Sequence, residues 1–171
     1  MITLNVEENN PITPNFYNNL IINLQMHRLT CTCQHSGCLS IHGYYNRNVK
    51  LSDGKDVFRI CRVICSCCGC THALLLSSMV PYSQISLKDQ TAILTAYEEG
   101  RLAVEVMEHT PSIDESNLHY VISSYRKHWK QRLLAFGIKL SKKLSHFCFL
   151  NFNRQFMQIK ITPNILFLNT T

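Results

Sequence analysis

Three cysteines, Cys31, Cys33 and Cys38, are answered one hairpin's length later by Cys65-Ser66-Cys67-Cys68-Gly69-Cys70. Two thiol groups at that separation constrain the fold more than any apolar pattern, because they either cross-link as disulfides or converge on a metal ion. Cys65 and Cys68 stand in C-x-x-C spacing with Gly69 directly behind them. Glycine there lets the turn close and brings backbone N–H groups toward the sulfurs. A tetrahedral Zn2+ takes two thiolates from each of two tight turns and locks the turns together. The expected ligands are Cys65 and Cys68 with two of Cys31, Cys33 and Cys38, of which Cys31 and Cys33 come first. His35 and His42 are possible substitutes, and Cys67 with Cys70 forms an alternative C-x-x-C register. Cys61 reads as a small packed residue on a strand, and Cys148 as unrelated to the site. The plain alternative is a set of buried free thiols.

The zinc is expected to be structural. No His-Glu-x-x-His occurs, and no His-x-Glu precedes the cysteine pair as a zinc deaminase needs. No thioredoxin-like βαβ pattern surrounds the C-x-x-C. No enzyme activity is therefore expected. Met1 to Glu8 lacks the basic flank and apolar core of a signal peptide, and no stretch approaches the roughly 20 apolar residues of a membrane span. The expectation is a reduced, cytoplasmic chain.

The pattern along the chain predicts an α+β fold: a small zinc-ribbon-like β unit followed by a helical, helix-turn-helix-like domain. Residues 1–27 form a lead, extended or disordered to residue 15, and a short helix in Phe16 to Met26. Residues 28–84 form the ribbon, with a hairpin from about His42 to Ile64 turning at Ser52-Asp53-Gly54 and an apolar third segment, Thr71 to Met79. Residues 85–147 hold the helices. Ser86 caps the first, which ends at Gly100. Arg101 to Met107 is the second. Ser112-Ile113-Asp114-Glu115 has capping-box spacing for a third, running to about Phe136, and Lys139 to His146 offers a further basic helix. Residues 148–171 read as a basic tail.

Charge divides the chain. Residues 1–115 hold eight Lys/Arg and eleven Asp/Glu, whereas residues 116–171 hold nine Lys/Arg and no acidic side chain. Such asymmetry points to an anionic partner, with DNA the leading choice over a merely solvated basic face. The third helix carries Leu118, Val121, Ile122, Tyr125, Trp129 and Leu133 at three- and four-residue steps, a stripe that faces a core. Of the rest, Asn117, His119 and Ser123 lie in the early turns, which touch base edges when such a helix reads DNA. Arg126, Lys127, Lys130 and Arg132 lie further along and suit phosphates. Lys139, Lys142 and Lys143 extend the same footprint.

Cys31 to Cys38, His42-Gly43-Tyr44-Tyr45-x-Arg47, Arg62-Val63-x-Cys65-x-x-Cys68-Gly69 and Pro81-Tyr82 together resemble the zinc-binding N-terminal domain of insertion-sequence transposases. They are more similar still to an uncharacterised family of transposon-associated bacterial proteins with this cysteine layout. The resemblance covers about residues 28 to 135. It implies a zinc ribbon and a helix-turn-helix that bind transposon ends. Two departures stand out. The usual first C-x-x-C is here Cys31-Thr32-Cys33, and no Asp or Glu follows Glu115 to hold the metal ions of strand transfer. The resemblance therefore implies a DNA-binding accessory, a truncated derivative or a repurposed regulator, without a catalytic domain. The alternative is a zinc-ribbon interaction module that docks a transposase or other protein subunit without touching nucleic acid.

Overall fold

Residues at the start of the chain form the middle of a sheet. In the structure, a computed structural model, residues 1–7, 10–51, 54–101, 103–109, 112–141, 143–158 and 166–169 are described. The expected turn residues Ser52 and Asp53, and also Thr110, Pro111, Lys142 and residues 159–165, lie outside them. The chain divides into two units, one of Met1–Asn48, Val57–Ser77 and Thr162–Thr171, the other of Val49–Asp56 and Ser78–Ile161.

The first unit is built on β1 (Ile2–Asn5), α1 (Pro14–Asn23), β2 (Leu39–Leu51), β3 (Gly54–Cys65), β4 (Thr71–Leu76) and β5 (Leu166–Asn169), with the hairpin tip counted in the second unit. The strand order is β2-β3-β4-β1-β5. β3 and β4 are antiparallel, whereas β1 runs parallel to both β4 and β5. This mixed sheet is larger than the small ribbon expected. The lead is extended at its start, one of the two forms expected: Ile2, Thr3 and Leu4 are buried on both faces, as parallel central strands are. α1 starts on Pro14 behind Thr13, whose hydroxyl accepts from the Phe16 N–H at 3.2 Å. It places Tyr17, edge-on to Phe58 at 6.2 Å, against the sheet.

The second unit is helical: α2 (Leu87–Glu98), α3 (Ala103–Glu108), α4 (Glu115–His128), α5 (Lys130–Ala135) and α6 (Leu144–Phe152). Ser86 caps α2 as expected, accepting from the Asp89 N–H at 3.1 Å. The stripe on α4 and α5 is also as expected, with Leu118, Val121, Tyr125, Trp129 and Leu133 all buried in one cluster. Three details differ. The cap of α4 is Asp114, accepting from the Asn117 N–H at 2.8 Å, while Ser112 donates its hydroxyl to the Leu51 carbonyl. The long third helix breaks at Trp129 (φ −122°), whose indole is wedged edge-on against Phe152 and Phe156 at 5.9 and 5.2 Å. The final helix starts at Leu144, not Lys139, because it is the apolar Leu144, Cys148 and Phe149 that pack. Phe156 and Met157 join the same core. Among the described residues no helix is long and apolar enough to cross a membrane.

Candidate metal centre

Two short loops carry the thiols, and backbone hydrogen bonds fix each one. In the first, the Cys31 N–H donates to the His35 carbonyl at 2.9 Å and the Gln34 N–H to the Cys31 carbonyl at 2.8 Å. Gln34 (φ +69°) takes the left-handed conformation that lets so short a loop turn back. In the second, the Cys65 N–H donates to the Cys70 carbonyl at 3.0 Å and the Gly69 N–H to the Cys65 carbonyl at 2.9 Å. Gly69 has φ +70° with open space where a Cβ would stand, so its backbone conformation, and not crowding, calls for glycine. The loops are tied by the Ser66 N–H, which donates to the Cys38 carbonyl at 2.8 Å.

This places the sulfurs of Cys31, Cys33, Cys65 and Cys68 within 4.8 Å of one another. Cys31 and Cys68 are 3.7 Å apart, as are Cys33 and Cys65. A tetrahedral ion with metal–sulfur bonds of about 2.3 Å needs sulfur–sulfur edges of about 3.8 Å. All nine cysteines are free thiols, so no disulfide competes for these atoms. The donor set and its spacing fit a metal ion. Neither His35 nor His42 belongs to the group; both are exposed, and His35 contributes its backbone carbonyl.

The thiols of the site differ in how readily they ionise. Burial pushes the Cys65 thiol up, but its hydrogen bond with Cys38 and the backbone N–H groups of Cys68 and Cys67 outweigh it and bring Cys65 to about 6. Cys38, 3.2 Å from the Cys65 sulfur and donating its S–H to the His35 carbonyl at 3.1 Å, is pushed up to about 12 by its contact with Cys65 and by burial. Cys68 is raised as well. The Cys70 N–H favours its thiolate, but burial and the thiols of Cys65, Cys70 and Cys31 overcome that. At Cys38 and Cys68 the charged form is resisted, and a bound cation would offset that.

His72 supports the site from β4. It is buried, and its Nε2 lies 3.3 Å from the Cys31 sulfur. Its Nδ1 accepts from the Met1 nitrogen at 3.0 Å, which leaves the proton on Nε2 to donate to sulfur. Burial, then the nearby positive nitrogen, holds the imidazole below its ordinary value and so neutral. A ligand oriented by such a hydrogen bond binds metal more tightly. His72→Leu is expected to weaken metal affinity by about 10- to 100-fold, measured by competition with a chromophoric chelator. Unchanged affinity would remove His72 from the site. Nothing local in the sequence ties His72 to Cys31.

The residues assigned to nucleic acid belong to the helical unit. His119 and Ser123, with Ser116, Tyr120, Lys127 and His128, line a shallow groove along α4. Arg126 and Lys127 are exposed, and neither forms an ion pair among the described residues. Others are engaged within the unit. The Asn117 carbonyl oxygen accepts from Lys50 at 2.7 Å, and Lys50 also pairs with Asp114 at 3.3 Å. Lys130 pairs with Glu98 at 2.8 Å. The Arg132 guanidinium lies 5.7 Å over the Trp129 ring.

No curated protein and no solved structure matches the chain. Residues 30–112, which take in both cysteine groups, the hairpin, β4, α2 and α3 but stop short of α4, match a family model described as a domain of unknown function, DUF6431.

Proposed function

We propose that this chain is a zinc-stabilised DNA-binding protein, transposase-derived or transposon-associated, without a catalytic domain. The observation that carries the zinc is the quartet of sulfurs with paired edges of 3.7 Å. All four donors are soft thiolates and the quartet is complete without water, which favours Zn2+ in a structural role. The ion rigidifies the cysteine end of the sheet in the manner of a zinc ribbon. DNA binding falls to the outer face of α4, the recognition helix of a helix-turn-helix-like unit with α3. With Asn117 and Lys130 engaged elsewhere, His119, Ser123, Arg126 and Lys127 meet the duplex. Lys50 offsets Asp114, which lessens the repulsion that an acidic helix start offers to phosphate.

The test is duplex binding as a function of salt. Affinity should fall with ionic strength, and the Arg126→Ala, Lys127→Ala double variant should lower the log–log slope by about 0.9 for each phosphate it no longer neutralises. Binding that ignores salt, or a slope the double variant leaves untouched, would end the assignment to this face.

A second reading, a protein-interaction module, is favoured by a different observation. β2 is an edge strand whose Ile41, Tyr44 and Tyr45 are exposed, with the Arg59 guanidinium 4.4 Å over the Tyr44 ring. An open edge of this kind can accept a strand from a partner. A partner retained from a nuclease-treated lysate, and released on replacing Ile41 and Tyr45 by Lys, supports this reading over the first.

A further inference from the structure

Four thiols complete one tetrahedral site, yet six crowd together here. The sulfurs of Cys38, Cys65 and Cys67 form a second group within 4.8 Å of one another, and Cys65 belongs to both groups. The Cys38 and Cys65 sulfurs are 3.2 Å apart. Cys38 is held in place by its own backbone: its carbonyl accepts from both the N–H and the hydroxyl of Ser66, at 2.8 and 3.3 Å. Cys65 is fully buried between the two groups, whereas Cys67 is exposed.

We propose that Cys38, Cys65 and Cys67 form a second metal position, for a soft thiophilic d10 cation such as Zn2+ or Cd2+, joined to the first through the shared Cys65 sulfur. A thiolate keeps more than one lone pair after binding one ion, so a single sulfur can bridge two. Three sulfurs leave the fourth tetrahedral position to a solvent molecule on the exposed Cys67 side, since a closed site needs four protein ligands. The first ion, with four protein sulfurs, is the one retained. The second, with an open position, is the one that exchanges with solution. As it binds, Cys38 and Cys67 each form a metal–sulfur bond and release one proton to solvent; no oxidation or reduction takes part. This inference takes the quartet as an occupied zinc site, and its test separates the two.

The experiment is titration of the full metal-free chain with Cd2+ under reducing conditions, followed by native mass spectrometry and by NMR of the spin-active cadmium isotope. The expected result is two Cd2+ per chain with two coupled cadmium signals, the coupling passing through the shared sulfur. The Cys38→Ser, Cys67→Ser double variant keeps the quartet and should bind one. A single Cd2+ in the unaltered chain overturns the second position and leaves the structural zinc standing. Two uncoupled signals, or two Cd2+ in the double variant, place the second ion elsewhere and overturn it as well. No binding at all overturns both sites. Should the double variant fail to fold, the cadmium–cadmium coupling in the unaltered chain decides alone.

Discussion

Cys65→Ser, or stripping the metal with a chelator, is expected to unfold the cysteine end of the sheet unit. Cys65 has no exposed surface and belongs to the sulfur quartet. Serine there offers a hydroxyl that is a poor ligand for a soft site and leaves a buried polar group in place of a metal bond. Structural zinc in small modules supplies an apparent binding free energy of about 10–16 kcal/mol, which is folding free energy where the site does not exist in the unfolded chain. No disulfide closes the same loops. Hydrogen exchange should therefore rise at the end of β3 and the start of β4 once metal is removed, and fall again when Zn2+ is restored. Protons compete with the ion for the same sulfurs, so acidification should have the effect of a chelator. Cys148→Ser is the control. Cys148 sits buried in the helical core, where burial pushes its thiol up to about 12, and its replacement should leave metal content unchanged. Exchange that does not respond to complete metal removal would show that the quartet holds no structural ion.

Local patterns made some of this legible. The two cysteine groups, the hairpin between them and the Ser86 cap depend on residues close in sequence. So does the stripe from Leu118 to Leu133, which repeats at helical spacing over four turns. The rest depends on partners far along the chain. Ile2-Thr3-Leu4 is too short to show a period, and its strand exists because Leu74 to Leu76 lie on one side and β5 on the other. The break at Trp129 comes from packing against Phe152 and Phe156, which helix propensity does not register. Asp114 rather than Ser112 caps α4 because Ser112 is engaged by the Leu51 carbonyl. At the site, Cys31, Cys33, Cys65 and Cys68 could be named from spacing. His72 could not, and Cys67, offered from spacing with Cys70, is grouped instead with Cys38 and Cys65, since only the fold brings His72 to Cys31 and Cys67 to those two sulfurs.

Tyr17→Phe, the loss of one oxygen, is expected to be the most damaging conservative change in the sheet. The β3–β4 ladder pairs Ile64 with Thr71, Val63 with His72 and Arg62 with Ala73. One step further in this register, Cys61 would face Leu74. Those two backbones do not meet directly. The Tyr17 hydroxyl stands between them, accepting from the Cys61 N–H at 2.9 Å and donating to the Leu74 carbonyl at 2.9 Å. Burial pushes this phenol above its ordinary range, so it remains protonated and able to donate. By holding the strands apart there, Tyr17 ends one pairing of β4 while the strand goes on pairing with β1 at Leu74 to Leu76. Phenylalanine fills the same space but leaves a buried N–H and a buried carbonyl without partners. Each orphaned group costs about 1–3 kcal/mol, so a loss of about 2–6 kcal/mol is expected in urea unfolding, with exchange at the Cys61 amide rising in step. Had Tyr17 merely filled a hole, the strands would close on each other in the variant, the Cys61 amide would stay protected, and stability would move by less than about 1 kcal/mol, the net worth of one ordinary hydrogen bond.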